Sequence, residues 1–190
     1  MLIKLSRIVW GITGSGDYIE EIIDKMIELL NEDDLRITVI VSKAGEQVLR
    51  LYKLWDKLNA SFDKVKKETN ANVPFIAGPL QVGRYDLLIV APLTANSTAK
   101  IAHGIADTLI TNAVAQTLKG STPVFLYPVD QSAEPVTTTG PDGIKFTITP
   151  RDIDLENVQR LKEMKGLTIL SSPSKIVQVV RSYLHNAGAH

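Results

Sequence analysis

An α/β protein with a parallel sheet covered on both faces is what this chain predicts, and three observations carry that expectation. Strand-length apolar runs alternate with segments whose apolar residues recur at helical spacing. Each run is apolar throughout, as a strand buried on both faces must be, and does not alternate polar with apolar. The joints between them collect glycine, serine, threonine and proline, the residues of turns and helix starts.

Taken in order, Leu5–Trp10 reads as the first strand, followed at once by Gly11-Ile-Thr-Gly14-Ser15-Gly16. Tyr18, Ile19, Ile22, Ile23, Met26, Ile27, Leu29 and Leu30 then fall on one helical face. Leu35–Val41 is a second buried strand that ends at Ser42, and Ala44–Leu58 a second helix with Val48, Leu51, Leu54, Trp55 and Leu58 as its stripe. The lysine-rich 59–72 stretch reads as a loop or surface helix, and Val73–Ile76 as a short third strand. Leu87–Ala91 is the next strand, broken at Pro92. Two helices follow, separated at Gly104, the second with Asp107 as its N-cap. Thr122–Tyr127 is a further strand. After Pro128 a hairpin is expected from Val136–Thr139, a Pro141-Asp-Gly143 turn and Ile144–Ile148. An amphipathic helix at Asp154–Lys165, a strand at Leu167–Leu170 and a helix from Pro173 to Leu184 close the chain. We read 1–190 as one domain, with a ligand-binding core over 1–130, a hairpin-and-helix excursion over 136–165, and a closing strand and helix over 166–190.

The 190 residues suffice for one sizeable core. A 44% hydrophobic and 22% charged composition is that of an ordinary globular chain, and the zero formal charge gives no field favouring nucleic acid or an anionic membrane. The absence of cysteine excludes disulfides, thiolate catalysis and protein-ligated iron–sulfur clusters. The first residues read as a strand and not as a signal peptide, and no apolar run reaches membrane-spanning length, so a cytoplasmic location is expected.

Three turns carry chemistry. The first, G-x-x-G-x-G, matches neither the dinucleotide fingerprint nor the Walker sequence, since Asp17 follows Gly16 where a lysine would stand. At the carboxyl end of a first strand it suits an anion at a helix N-terminus, or serves as a tight packing turn. The second is Ser42, where an NAD site would place an acidic residue for the ribose. A hydroxyl there argues against NAD and admits flavin mononucleotide, which has a ribityl chain, one phosphate and no second ribose; a plain helix N-cap is the alternative. The third, Thr94-Ala95-Asn96-Ser97-Thr98, offers donors without fixed charge, with Lys100 one turn on, and again doubles as a capping sequence. His103, His185 and His190 are too scattered for a metal centre, so no metal site is expected. The lysines between 57 and 67 form a solvated face or a docking patch for an acidic partner.

Together GITGSG at the first turn, VSKAG after the second strand and YDLLIVAPLTANSTAKIAHGIADTLIT resemble the homo-oligomeric flavin-containing decarboxylase-like family of FMN proteins over about residues 5–130. The resemblance implies a Rossmann-like (flavodoxin-like) three-layer parallel sheet and FMN held between subunits of a trimer-based homo-oligomer. It also carries cofactor-binding roles onto Gly14, Ser15, Gly16, Ser42, Thr94, Ala95, Asn96, Ser97 and Thr98. The family's cysteine decarboxylases have a histidine where this chain has Gly78, and Pro-Ala-Met-Asn where it has Pro128-Val-Asp-Gln131. The serine-rich, arginine-bearing pattern of the prenyltransferases is also poorly matched. Likeness continuing through YPVDQ, the hairpin and TPRDIDLENVQRLKEMKG points to the archaeal-type branch that includes dihydromethanopterin reductase (acceptor). That implies an FMN oxidoreductase taking electrons from a ferredoxin-like donor and reducing a dihydropterin-type acceptor, with Tyr127, Asp130 and Gln131 on the substrate side. The alternatives are an FMN electron carrier without a small-molecule substrate, and a decarboxylase with a relocated base.

Overall fold

The computed structural model describes residues 5–32 and 34–187, with the side chains of 184–187 outside the description; the His185 side chain and all of His190 therefore lie outside the described residues. Six parallel strands form the central sheet: β1 (Ser6–Ile12), β2 (Leu35–Val41), β3 (Val65–Lys67), β4 (Leu87–Leu93), β5 (Val124–Pro128) and β8 (Leu167–Ile169). Their order is β3-β2-β1-β4-β5-β8, the Rossmann-like order that reverses direction between β1 and β4. A separate antiparallel ribbon pairs β6 (Val136–Thr139) with β7 (Lys145–Ile148), Val136 facing Ile148.

Two apolar clusters show why the strands are apolar throughout. One face of β1 sends Ile8, Trp10 and Ile12 against α1 (Ile19–Glu28), α2 (Lys43–Leu51), α3 (Trp55–Ser61) and α8 (Ser174–Ala187). The other sends Val9, with Ile40, Leu88 and Val90, against α4 (Ala77–Gln81), α5 (Ala95–Ala102), α6 (Leu109–Thr117) and α7 (Asp152–Glu163). All seven residues of β4 are buried, which places it at the centre of the three layers. α7 packs on α5 and buries Val158 and Leu161, so it belongs to the helical layer.

The sequence expectations fail at four joints, each for a local reason. β4 does not break at Pro92 but runs on to Leu93; its register with β5 shifts between Val90 and Leu93, and a bulge accommodates a residue with no N–H. The third strand is Val65–Lys67 inside the lysine-rich stretch, an edge strand blunted by charge, whereas Val73 and Phe75 are exposed. The long second helix is two helices, interrupted at Lys53 in the left-handed region (φ 57°) so that Leu54 turns into the core. Thr108, not Asp107, caps α6: its Oγ accepts from the Thr111 N–H at 3.2 Å. Asp107 instead pairs with Lys100 at 2.8 Å.

Candidate functional site

Open parallel sheets bind ligands beyond the carboxyl ends of the strands where the order reverses, here above β1 and β4. The two strand ends are joined by Thr13. Its hydroxyl donates to the Pro92 carbonyl at 2.8 Å and accepts from the Thr94 N–H at 2.9 Å, while its own N–H donates to Pro92 at 3.2 Å. Beside them, where the register of β4 with β5 shifts, the Ala91 carbonyl accepts from the buried Trp10 indole at 2.7 Å. Ser42 joins the same cluster, donating its N–H to Ile12 at 3.0 Å. Gly14 lets the first turn press on α2, since a Cβ there would stand 2.7 Å from that of Ala44. A Cβ on Gly16 would run into the Tyr52 phenol.

The hydroxyls do the capping that the sequence allowed. Ser42 Oγ accepts from Gly45 N–H at 2.9 Å, and Thr94 Oγ1 accepts from Ser97 N–H and donates to Ser97 Oγ, each at 3.2 Å. Ser15 Oγ accepts from Asp17 N–H at 3.1 Å. A capping oxygen keeps its proton, so Ser42 and Ser15 remain donors, as does Ser97 at the end of the Thr94 chain. Asn96 is exposed, and its side chain makes no hydrogen bond to the described residues.

Which helix start would receive an anion is decided by the protein's own carboxylates. α1 was expected to present its N-terminus directly after the glycines. Instead it begins at Ile19, behind Tyr18 in the left-handed region (φ 58°), and carries Asp17, Glu20 and Glu21 around its start. At α2 and α6 the place is filled by Glu68, which follows β3: Oε2 accepts from Lys43 N–H at 3.0 Å and Oε1 from Leu109 N–H at 2.8 Å. Of these four, only α5 has neither an acidic residue in its first turn nor a carboxylate on its first N–H groups. Ala95 and Asn96 there, like Gly14 and Gly16 in the first turn, have backbone N–H groups with no acceptor among the described residues. Thr98, 1% exposed, has a hydroxyl with no hydrogen-bond partner among the described residues, on the second turn of the same helix. Free amides, neutral hydroxyls and an orphaned buried hydroxyl form a donor set suited to one phosphate and a hydroxylated chain. Glu68 and Thr13 were missed from sequence. A glutamate after a lysine-rich strand and a threonine between glycines give no signal until the strands are aligned.

The three substrate-side candidates follow β5 and separate into different environments. Tyr127 is buried, packs edge-on against Tyr18 with ring centroids 5.9 Å apart, and has its phenol pushed above the ordinary range by burial. Gln131 is tied down: its amide donates to Pro128 at 2.7 Å and Leu170 at 2.8 Å, stapling β5 to the chain after β8. Asp130 is partly buried and raised above its usual value, first by desolvation and then by Asp154 and Asp17. Across the first turn the hairpin closes a cleft of ≈ 340 Å³ lined by Gly16, Asp17, Tyr18 and Tyr52 opposite Val136–Gly140, with Tyr52 donating to the Thr139 carbonyl at 3.1 Å. His103, at the end of α5, has Nε2 3.1 Å from Asn157 Oδ1 and so links α5 to α7.

An open parallel sheet with an uncharged donor cradle at its reversal point is the architecture of a nucleotide-binding α/β protein. More particularly, the flavoprotein family model matches residues 3–187, and the chain belongs to that family. An uncharacterised protein of Methanocaldococcus jannaschii is 46% identical over 94% of this chain and 96% of its own length. A dihydromethanopterin reductase (acceptor) of the same organism is 41% identical over 73% of this chain and 59% of that protein, and one of Methanosarcina mazei 30% identical over 93% and 99%. Among solved structures, Burkholderia xenovorans DmrB in complex with FMN, described as a cubic protein cage for redox transfer, superposes with a TM-score of 0.82 at 33% identity, covering 96% of this chain and 97% of that one.

Proposed function

We propose that this protein is an FMN-dependent oxidoreductase that reduces a dihydropterin-type acceptor. The observation that carries the reading is the cradle at α5: amides at Gly14, Gly16, Ala95 and Asn96 without an acceptor among the described residues, beside hydroxyls, with the starts of α1, α2 and α6 claimed by acidic side chains. Likeness to two dihydromethanopterin reductases (acceptor) and to FMN-bound DmrB supports the choice of cofactor and reaction class. Gly14, Ser15, Gly16, Ser42 and Thr94 to Thr98 would hold FMN, the phosphate by amide and hydroxyl hydrogen bonds without a fixed positive charge. When bound, the flavin supplies a two-electron redox centre that takes up and delivers hydride. The chain's own part is to orient that centre at the strand ends and, through the hairpin, to keep water from the cleft. Tyr127, Asp130 and Gln131 border the substrate, Gln131 by fixing the loop. A ferredoxin-like protein serves as electron donor in the cytoplasm, with Lys64, just before the edge strand, and Lys66 on it as docking charges.

The purified protein, reconstituted with FMN, should show a flavin spectrum; after anaerobic reduction, a dihydropterin should reoxidise it and be converted to the tetrahydropterin. Reoxidation by protein acceptors alone would favour an electron carrier, and failure to take up FMN would sink both readings. Thr94→Ala and Asn96→Ala should each weaken FMN retention; unchanged affinity in both would remove the assigned cradle.

A further inference from the structure

The Asp130 carboxyl is a group the fold does not use for itself. The preceding N–H, of Val129, donates to the Leu93 carbonyl at 3.1 Å, which sets Asp130 beside the strand end from which Thr94–Thr98 departs. The side chain is partly buried, yet no described residue gives it a hydrogen bond. The charges that face it come from three places: Asp17 in the first turn, Asp154 in the first turn of α7, and Arg151 just before that helix. The one cation among them is already engaged. Arg151 donates to Asp154 through Nε at 2.9 Å, Nη2 at 2.7 Å and its backbone N–H at 3.0 Å.

Two neighbouring carboxyls are thus treated oppositely. The Arg151 guanidinium holds buried Asp154 below its ordinary range, whereas desolvation and the charges of Asp154 and Asp17 push Asp130 up. Environments that separate two carboxyls in this way keep one as a permanent anion and the other available as an acid. Tyr127, whose phenol is pushed up by burial, stays protonated and takes no proton at neutral pH.

We propose that Asp130 is the proton donor to the acceptor's ring nitrogen, an inference that rests on the reductase reading above. Reduction of a ring C=N bond takes a hydride at carbon, from a hydride donor of the reduced-flavin class, and a proton at nitrogen. As the new C–H bond forms, the C=N π pair moves onto nitrogen. The N–H bond forms as the Asp130 O–H bond breaks, and the carboxylate left behind regains a proton from water on its exposed side. The acceptor gains two electrons and two hydrogens, the hydride donor is oxidised by two electrons, and one proton is taken up from water.

The test compares Asp130→Asn and Asp130→Glu with the wild type, each as the full chain reconstituted with FMN. Asp130→Asn should lower dihydropterin turnover by roughly 10² or more, the size of a positioned general acid. It should also remove the basic limb of the kcat profile and leave oxidation by ferricyanide, which needs no proton at a ring nitrogen, within about twofold. Asp130→Glu should restore part of the turnover and the limb. A second readout needs no cofactor. A carboxyl raised in the folded state contributes stability present below its unfolded value near 3.8 and lost as pH rises through the folded value. Asp130→Asn should therefore raise Tm at pH 7, with a gain that disappears below pH 3.8. Unchanged turnover and profile, or no gain in Tm at pH 7, would overturn the proposal; parallel loss of ferricyanide oxidation would reassign Asp130 to cofactor retention and overturn it too. A wild type oxidised by ferricyanide but not by a dihydropterin would overturn the reductase reading and this inference with it, and that failure is visible before any variant is made.

Discussion

Thr98 concentrates the difference between a cap and a binding site. Threonine hydroxyls at helix starts ordinarily satisfy the backbone, as Thr94 and Thr108 do, but the Thr98 hydroxyl is buried and unsatisfied. An unmet buried hydroxyl costs about 1–3 kcal/mol, a cost that a ligand atom can remove. Thr98→Val, which keeps the shape and deletes the hydroxyl, should leave the cofactor-free protein as stable or more stable and weaken FMN binding. Thermal melts and fluorescence titration check the two halves; destabilisation of the free protein would show that the hydroxyl serves the fold. The sequence placed Thr94 to Thr98 at a strand-to-helix turn but could not separate a capping hydroxyl from an orphan. That distinction depends on which backbone groups of β4 and α5 lie within reach.

Among the elements, Glu68 couples two helices that are far apart in sequence. One carboxylate accepts from Lys43 at the start of α2 and from Leu109 at the start of α6, and Asn112 on α6 donates to the Ala71 carbonyl and to Asn72 at 2.9 and 3.0 Å. The 68–72 loop thereby locks α6 against the edge of the sheet. Glu68→Ala removes both caps and should cost roughly 1–2 kcal/mol or more, on the scale of a lost helix cap. Glu68→Gln, which still accepts one hydrogen bond, should lose about half as much. Urea denaturation measures both; equal, negligible losses would mean the two bonds add nothing to the fold. The α1 start shows the same rule from the other side: its helical period was legible, but its acidic first turn makes it a poor anion site despite the glycines before it.

For the whole molecule, the surface left outside the two apolar clusters matters most. Val73, Phe75 and Val82 are exposed around α4, Phe75 at 72%, on the side of the sheet that also carries α5. A Cβ on Gly78 would stand 2.5 Å from the Phe75 ring, so the place of the decarboxylase histidine is here tucked under an aromatic residue. Exposed large apolar side chains grouped in this way mark an association surface, in keeping with the homo-oligomer read from sequence and the cage described for DmrB. Phe75→Glu should reduce the oligomer measured by light scattering and loosen FMN if subunits share the cofactor. A dispersed oligomer with unchanged FMN affinity would place the cofactor within one subunit.

The layered α/β class, most strand positions, the glycine turn and the Thr94–Thr98 segment are legible from neighbouring residues alone. These follow from local periodicity and turn chemistry. The sequence misplaced β3 because an edge strand needs no apolar run, and it ended β4 early because a proline is tolerated only where a bulge relieves the ladder. Which helix start is open to an anion emerges only in three dimensions, since Glu68 and Thr13 act across gaps of 25 to 81 residues. The three-dimensional arrangement likewise sets two nearby carboxyls apart, pushing Asp130 up and holding Asp154 down, because they differ in burial and in possession of Arg151. Electrostatic roles depend on distance in space, and a chain records only distance in sequence.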